Sequence, residues 1–350
     1  MTDPLLALTM GDPAGVGPEV IAGAWPQAEL HAGRRLLVVG HPEILRRAAR
    51  LWTSPIEIVE IASPEEARPS PALLPCLKAV DDDVLAAPQC TVDARNGEAA
   101  YQSLVAAAKL ALAGRVDGIT TAPLHKAALW EAGHHYPGHT ELLAELCGVD
   151  DFAMMLYLAH DEQIRGPAGL GVVHVTLHMA LRDVFAHLNS RAIFEKIRLA
   201  DGVMRPLKGA APAIGVCALN PHAGESGLFG DEERTLIEPA VARAKSAGFL
   251  VEGPYPADTL LARARDGEFD AVVAMYHDQG HIALKLLGMH RAVNVTLGLP
   301  IVRTSVAHGT AFDLAWQGRA DFGSLIEAVR VASELARQRS ARQKPLPAQG

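Results

Sequence analysis

The sequence predicts an α/β protein built on a mostly parallel sheet, and three observations carry that expectation. Short apolar runs alternate along the chain with stretches of helical periodicity. The hydrophobic share is 49% while aromatic residues make up only 5%, so the core is aliphatic and alanine-rich, as suits strands covered on both faces. Polar and histidine-bearing segments follow the apolar runs, where the strands of an open α/β sheet end and ligands collect. A chain of 350 residues has room for two domains or one large one, and for a substantial core.

The formal net charge of −8 argues against a nucleic-acid partner, while leaving room for a basic pocket around a small anion. The four cysteines, Cys76, Cys90, Cys147 and Cys217, form no CxxC pair, and cysteine this sparse suits the reducing cytoplasm. Residues 1–10 carry no basic stretch and too short an apolar run for a signal peptide. No window approaches the roughly 20 apolar residues of a membrane span. The expectation is a cytoplasmic protein with no membrane partner.

Residues 5–10 form the first predicted strand. Residues 11–19, Gly-Asp-Pro-Ala-Gly-Val-Gly-Pro-Glu, then make a glycine-rich loop, with a helix from Pro18. This loop is either an anion cradle or a tight strand-to-helix turn, and it is neither GxGxxG nor a P-loop. A strand at 35–40, a helix at 42–51 and a strand at 56–61 follow. Residues 63–92, rich in proline, read as a surface excursion, with Asp81, Asp82 and Asp83 as a solvated face. A helix is predicted at 96–113, then a strand from 116 that runs into a polar loop bearing His125 and Lys126. Lys126 either faces an anion or is an ordinary helix-start lysine. Pro137 and Gly138 turn the chain into another helix, with Thr140 as its cap and His139 placed to meet a phosphate.

A strand at 152–159, a polar insert at 160–169 and an apolar run at 170–178 come next. His174, in the body of that run, reads as a packed core histidine, and His178 as the start of a loop. A strand at 213–218 leads to the His222 loop, then to a helix at 231–247. Residues 251–257 lead to Asp258, predicted to cap a helix. Residues 270–275 form a strand whose end carries Tyr276-His-Asp-Gln-Gly-His-Ile-Ala-Leu-Lys285, with Gly280 expected to permit a sharp turn. A strand-like run at 292–300, a segment at 301–305, a helix at 308–318 and a final helix at 321–337 complete the pattern. Residues 338–350 are expected to be a disordered tail.

His178, His222 and His277 each follow a predicted buried strand and begin a loop, so their loops are expected to converge. Three neutral imidazoles suit a divalent transition metal with open positions for substrate. Such an ion polarises an alcohol or carbonyl oxygen.

Several segments together resemble one family. They are Gly11 to Glu19, Gly138-His-Thr-Glu141, Leu219-Asn-Pro-His-Ala-Gly224, Pro256-Ala-Asp258, Tyr276-His-Asp-Gln-Gly280, Gly298-Leu-Pro300, Arg303-Thr-Ser305 and His308-Gly-Thr310. In this order they are similar to the 4-hydroxythreonine-4-phosphate dehydrogenases (PdxA) of vitamin B6 biosynthesis, over about residues 5–330. The resemblance implies two α/β/α domains with the isocitrate/isopropylmalate dehydrogenase fold and a cleft between them. The first would comprise 1–135 plus 290–350. The second, 136–289, would carry the metal ligands and the dimer interface.

The resemblance further implies an NAD- or NADP-dependent dehydrogenase, a homodimer with a shared active site. A divalent metal (Zn, Mg, Co or Mn) would sit on His178, His222 and His277, with the third ligand from the partner subunit. Substrate contacts fall on His139, Thr140, Lys285, Asn294 and Arg303; Asp258 and Asp278 match carboxylates near the reacting alcohol, and Lys285 is placed to return a proton. The implied reaction is oxidation of 4-phosphohydroxy-L-threonine at its 3-hydroxyl with loss of CO2. Alternatives are D-threonate or D-erythronate 4-phosphate, or a terephthalate cis-dihydrodiol; a non-catalytic metabolite-binding protein is the reading from another class. The chain departs from the family pattern in the 160–169 insert and at His281, Ala307 and Trp316, departures that bear on substrate identity.

Overall fold

The structure, a computed structural model, describes residues 3–53 and 55–343. Its strands are β1 (Leu5–Thr9), β2 (Arg35–Gly40), β3 (Glu57–Ile61), β4 (Leu73–Lys78), β5 (Gly118–Thr121), β6 (Ala153–Leu158), β7 (Leu170–His174), β8 (Ile214–Cys217), β9 (Val251–Tyr255), β10 (Ala271–Ala274), β11 (Val293–Leu297) and β12 (Arg303–Val306). The chain divides into two compact units, Met1–Asp150 with Leu299–Gly350, and Asp151–Gly298. The divide thus falls later than the 135/136 and 289/290 boundaries predicted. The helix His139–Cys147 stays with the first unit because Leu142 and Leu143 join the buried cluster of Leu5, Leu37 and Leu104. Residues 293–297 stay with the second because β11 pairs with β6.

In the first unit the strand order is β3-β4-β2-β1-β5-β12, all parallel. Alternate residues of β1 serve opposite faces: Leu6 and Leu8 pack with Trp25 and Val38, while Leu5 and Ala7 pack with Val39 and Ile119. The second unit runs β11-β6-β7-β10-β8-β9, with β6 antiparallel to both neighbours and the rest parallel. Among the described residues no helix is long and apolar enough to cross a membrane.

Three expectations are corrected here. The supposed surface excursion contains β4, whose Leu74 and Cys76 are fully buried between β3 and β2; Pro75 hid it, since proline rarely sits in an interior strand. Residues 308–318 are turns rather than a helix. Ala311 and Trp316 take positive φ, and the buried Glu19 carboxylate accepts the N–H groups of Gln317, Arg319 and Ala320. The last helix, Gly323–Gln343, extends into the stretch expected to be disordered, and 344–350 lie outside the described residues.

The 160–169 insert is pinned. The Asp161 carboxylate accepts the N–H groups of Gln163 and Ile164 and pairs with Arg291, while Tyr157 Oη donates to Ala168 O at 2.9 Å.

Candidate active site

Strand β10 is four buried residues, and the chain turns at once into the helix His277–Gly288. The predicted loop here is therefore helix, with Tyr276 as its N-cap residue. Asp278 sits in the first turn, where its charge complements the positive end of the helix dipole, and its Oδ1 lies 2.7 Å from His277 Nδ1. In the neutral ring, donation from Nδ1 to that carboxylate leaves Nε2 with the lone pair. Gly280 serves packing rather than a turn: a Cβ there would stand 2.5 Å from Val172 Cγ1 and 2.6 Å from His174 Nε2. Gln279 ties two strand ends, accepting from Met275 N and donating to Ala218 O, each at 2.7 Å.

His178 and His277 line one pocket of about 300 Å³ with Met179, Tyr276 and Asp278. Their ring centroids are 5.7 Å apart. Two imidazoles on one ion, each nitrogen at roughly 2.0–2.1 Å, place their ring centres about 5–6 Å apart. The pair therefore fits two donors of one site.

His222 does not join them. It lines a separate pocket of about 780 Å³ with Glu225, Asp231 and Glu233. Among the described residues no group of three His, Cys, Asp or Glu side chains could hold a metal ion. The expected convergence of three loops thus fails within one chain, and His277, the expected partner-supplied ligand, stands beside His178. The reason is local. The segment Pro221–Gly227 winds left-handed, with His222 at φ 52° and Ala223, Glu225 and Ser226 also positive. Such backbone costs about 1–2 kcal/mol per residue and marks functional loops. Glu233 holds the loop, its Oε1 accepting from Leu219 N and Asn220 N at 2.9 and 2.8 Å. Burial pushes the Glu233 carboxyl up, but these N–H donors outweigh it and hold it below the usual range.

Two further histidines lie beneath the pocket. His174, 1% exposed as a core histidine should be, has its Nε2 3.0 Å from Nδ1 of His281, itself 6% exposed. Burial, then the neighbouring His277, pushes His281 down to about 4. Burial, then His281, holds His174 well below the ordinary range. The helix of His277 exposes Ile282 and Leu286, and the stretches that follow His178 and His222 expose Leu181, Phe185, Leu228 and Phe229, apolar side chains between 48% and 82% exposed.

In the first unit, Arg303 on β12 is 2% exposed and donates to Thr121 Oγ1 at 2.8 Å. Burial pushes its guanidinium down to about 10, with Glu141 acting the other way. His139 opens its helix after Gly138, so Thr140 lies in the first turn and is not the cap. Loss of hydration, then the Arg303 charge, holds His139 well below its ordinary value. A neutral imidazole, a buried guanidinium and helix-start N–H groups are thus gathered where an anion could be held.

The glycine-rich loop is buried, and its glycines answer to packing: a Cβ at Gly11 or Gly17 would strike Pro123 O or Met10 O at 2.3 Å. It is tied to the 308–320 segment by Val16 N to Thr310 O at 2.9 Å. Each of these linked segments carries a buried polar atom with no hydrogen-bond partner, Asp12 Oδ2 and His308 Nε2. Burial pushes Asp12 up to about 7, against the N–H of Ala14 and with the charge of Asp93.

The remaining predicted residues are dispersed. Asn294 on β11 has a buried Oδ1 with no partner. Lys285 is exposed, two turns along the helix from His277, and its charge reaches His281. Asp258 is exposed in the first turn of the helix Ala257–Arg265 and accepts from Thr259 N; Pro256 takes the cap position. His125 caps the helix Lys126–Glu131, and Lys126 is an exposed helix-start lysine. The buried pair His174–His281 went unnoticed in the sequence, since its only signal is the spacing of four residues from His178 and from His277.

A family model described as pyridoxal phosphate biosynthetic protein PdxA matches residues 32–332. The chain is 46% identical over 335 residues to a 4-hydroxythreonine-4-phosphate dehydrogenase of Beijerinckia indica, covering 96% of each. It is 44% identical over 333 residues to a D-threonate 4-phosphate dehydrogenase of Pectobacterium atrosepticum, covering 95% of this chain and 99% of that one. A solved 4-hydroxythreonine-4-phosphate dehydrogenase from Klebsiella pneumoniae superposes with a TM-score of 0.84 at 44% identity, over 95% of this chain and 99% of the other.

Proposed function

The chain belongs to the PdxA family of dehydrogenases, and from that premise we propose that it oxidises 4-phosphohydroxy-L-threonine at its 3-hydroxyl, with NAD (or NADP) and a divalent ion. The observation that carries the reading is the His178–His277 pair at 5.7 Å, braced by Asp278, in a chain of this family. The product is 3-amino-2-oxopropyl phosphate, and the balance is simple. A bound nicotinamide would supply the acceptor for the hydride of C3, and a carboxylate of the chain takes the hydroxyl proton. The C1–C2 bond then breaks, CO2 leaves, and C2 takes a proton.

The chain's own residues have these roles. Arg303 and His139, with Thr140 and Lys285, hold the phosphate by charge and hydrogen bonds. Asn294 offers its unpartnered Oδ1 to a donor on the substrate. Asp258 and Asp278 are the carboxylates for the hydroxyl proton, and Lys285 returns a proton to C2. His178, His222 and His277 would hold the ion, which supplies Lewis acidity at the substrate oxygens. The donor set fits zinc or cobalt, both at home with imidazole. Asp12 Oδ2 and His308 Nε2, buried without partners on linked segments, fit a polar ligand such as the nicotinamide cofactor.

The metal set needs a second copy of the chain, because His222 stands apart from the other two. One protomer then supplies His178 and His277, and its partner His222. The exposed apolar side chains on and after the same segments support burial against such a copy.

The test follows nicotinamide reduction by absorbance, with metal, on 4-phosphohydroxy-L-threonine. No reduction on any phosphorylated hydroxy acid would end the reading. A second reading, D-threonate 4-phosphate as substrate, is favoured by the relative of that name at 44% identity. The two substrates differ in the group on C2, so a side-by-side comparison of kcat/KM decides between them.

A further inference from the structure

Four of the second unit's imidazoles, those of His174, His178, His277 and His281, form two pairs. The outer pair, His178 and His277, lines the pocket. The inner pair, His174 and His281, is buried and bonded at 3.0 Å. Each inner histidine lies four residues from an outer one, His174 ahead of His178 and His281 one helical turn after His277. The rings of His277 and His281 stack, with centroids 3.7 Å apart and planes at 12°. His174 stands 4.5 Å from His281 and 6.1 Å from His277.

Burying two imidazoles costs hydration that one shared hydrogen bond only partly restores, and aliphatic side chains would fill the space without that cost. Packing alone therefore does not account for the pair. Nor is its geometry loose. The helix meets β7 closely enough for the bond only because residue 280 is glycine, whose Cβ would otherwise stand 2.6 Å from His174 Nε2.

We propose that the buried His174–His281 pair is a positioning strut that fixes the ring of His277, and its spacing from His178, for a divalent ion. The proposal rests on the metal reading above. The hydrogen bond fixes the rotamer of His281. The stack, together with the Asp278 bond at Nδ1, then fixes the plane of His277 and directs Nε2 to the pocket. A ligand held this way loses little freedom when an ion binds, and so binds it more tightly.

The test uses the full chain, stripped by a chelator and titrated with Co2+, read by the visible ligand-field band and by chelator competition. Wild type should show a band that His277→Ala lacks. His281→Leu should bind about 10–100-fold more weakly, as removal of a partner behind a metal ligand does, with a shifted band. His281→Phe keeps a flat ring without the bond and should fall between the two. Gly280→Ala, which changes no imidazole, should weaken binding in the same sense. Wild-type affinity and band shape in His281→Leu and Gly280→Ala would overturn the strut; if His281→Leu does not fold, His281→Phe decides by the same criterion. A wild type with no His277-dependent band would overturn the metal reading, and the strut with it. An intact wild-type band unchanged in the variants overturns the strut alone.

Discussion

Replacing Asp12 with asparagine should remove a pH dependence of stability that the wild type carries. Asp12 is fully buried; its Oδ1 accepts the N–H of Ala14 at 2.8 Å, and the backbone of His125 acts on it in the same sense. Burial raises its pKa from 3.8 to about 7. The unfolded chain gives up this proton near pH 4, the folded chain near pH 7. Between those values the folded state binds more protons, so stability is greatest below the unfolded pKa and falls as pH rises. Above the folded pKa the loss is complete. A shift of about three units corresponds to about 4 kcal/mol in all, of which about 2–3 kcal/mol is lost between pH 5 and pH 8. Asp12→Asn keeps the acceptor for Ala14 and does not titrate. Thermal melts of both proteins at pH 5 and pH 8 give the comparison. The variant should gain on wild type by about 3–6 °C in Tm between the two pH values. A difference in Tm that is the same at both would refute the assignment of a buried proton to Asp12.

Arg303→Ala should mainly raise KM for the phosphorylated substrate, by tenfold to a hundredfold, because a charge-assisted contact is worth about 1.5–3 kcal/mol; steady-state kinetics with and without the phosphate check it. Lys285→Ala should lower kcat as well as raise KM, and an unchanged kcat would remove the lysine from proton return. His222→Ala should abolish turnover while leaving the melting temperature near wild type, since His222 is exposed on its loop; unchanged metal content and activity would remove it from the metal set.

The strands and the histidines at their ends were legible because both depend on local pattern: an apolar run, then polar residues and a turn. β4 was not, because Pro75 breaks the local signal and only its place between β3 and β2 makes it a strand. The 308–318 segment reads as helix until the Glu19 carboxylate, about 300 residues away in sequence, takes its N–H groups. Gly280 looked like a turn residue, and only the approach of β7 reveals what it permits. The separation of His222 from His178 and His277 was illegible for a similar reason, since it follows from Glu233 holding a left-handed loop.

In the proposed active site two copies of the chain meet, with His178 and His277 from one and His222 from the other. That arrangement is tested by mixing inactive His222→Ala and His277→Ala proteins under verified subunit exchange. Random exchange makes about half the dimers mixed, each with one intact site of two, so about a quarter of wild-type activity should return. Mixing His178→Ala with His277→Ala should return none, because no site in that mixture then has both histidines of its pair. Recovery from the second mixture, or none from the first, would contradict the account.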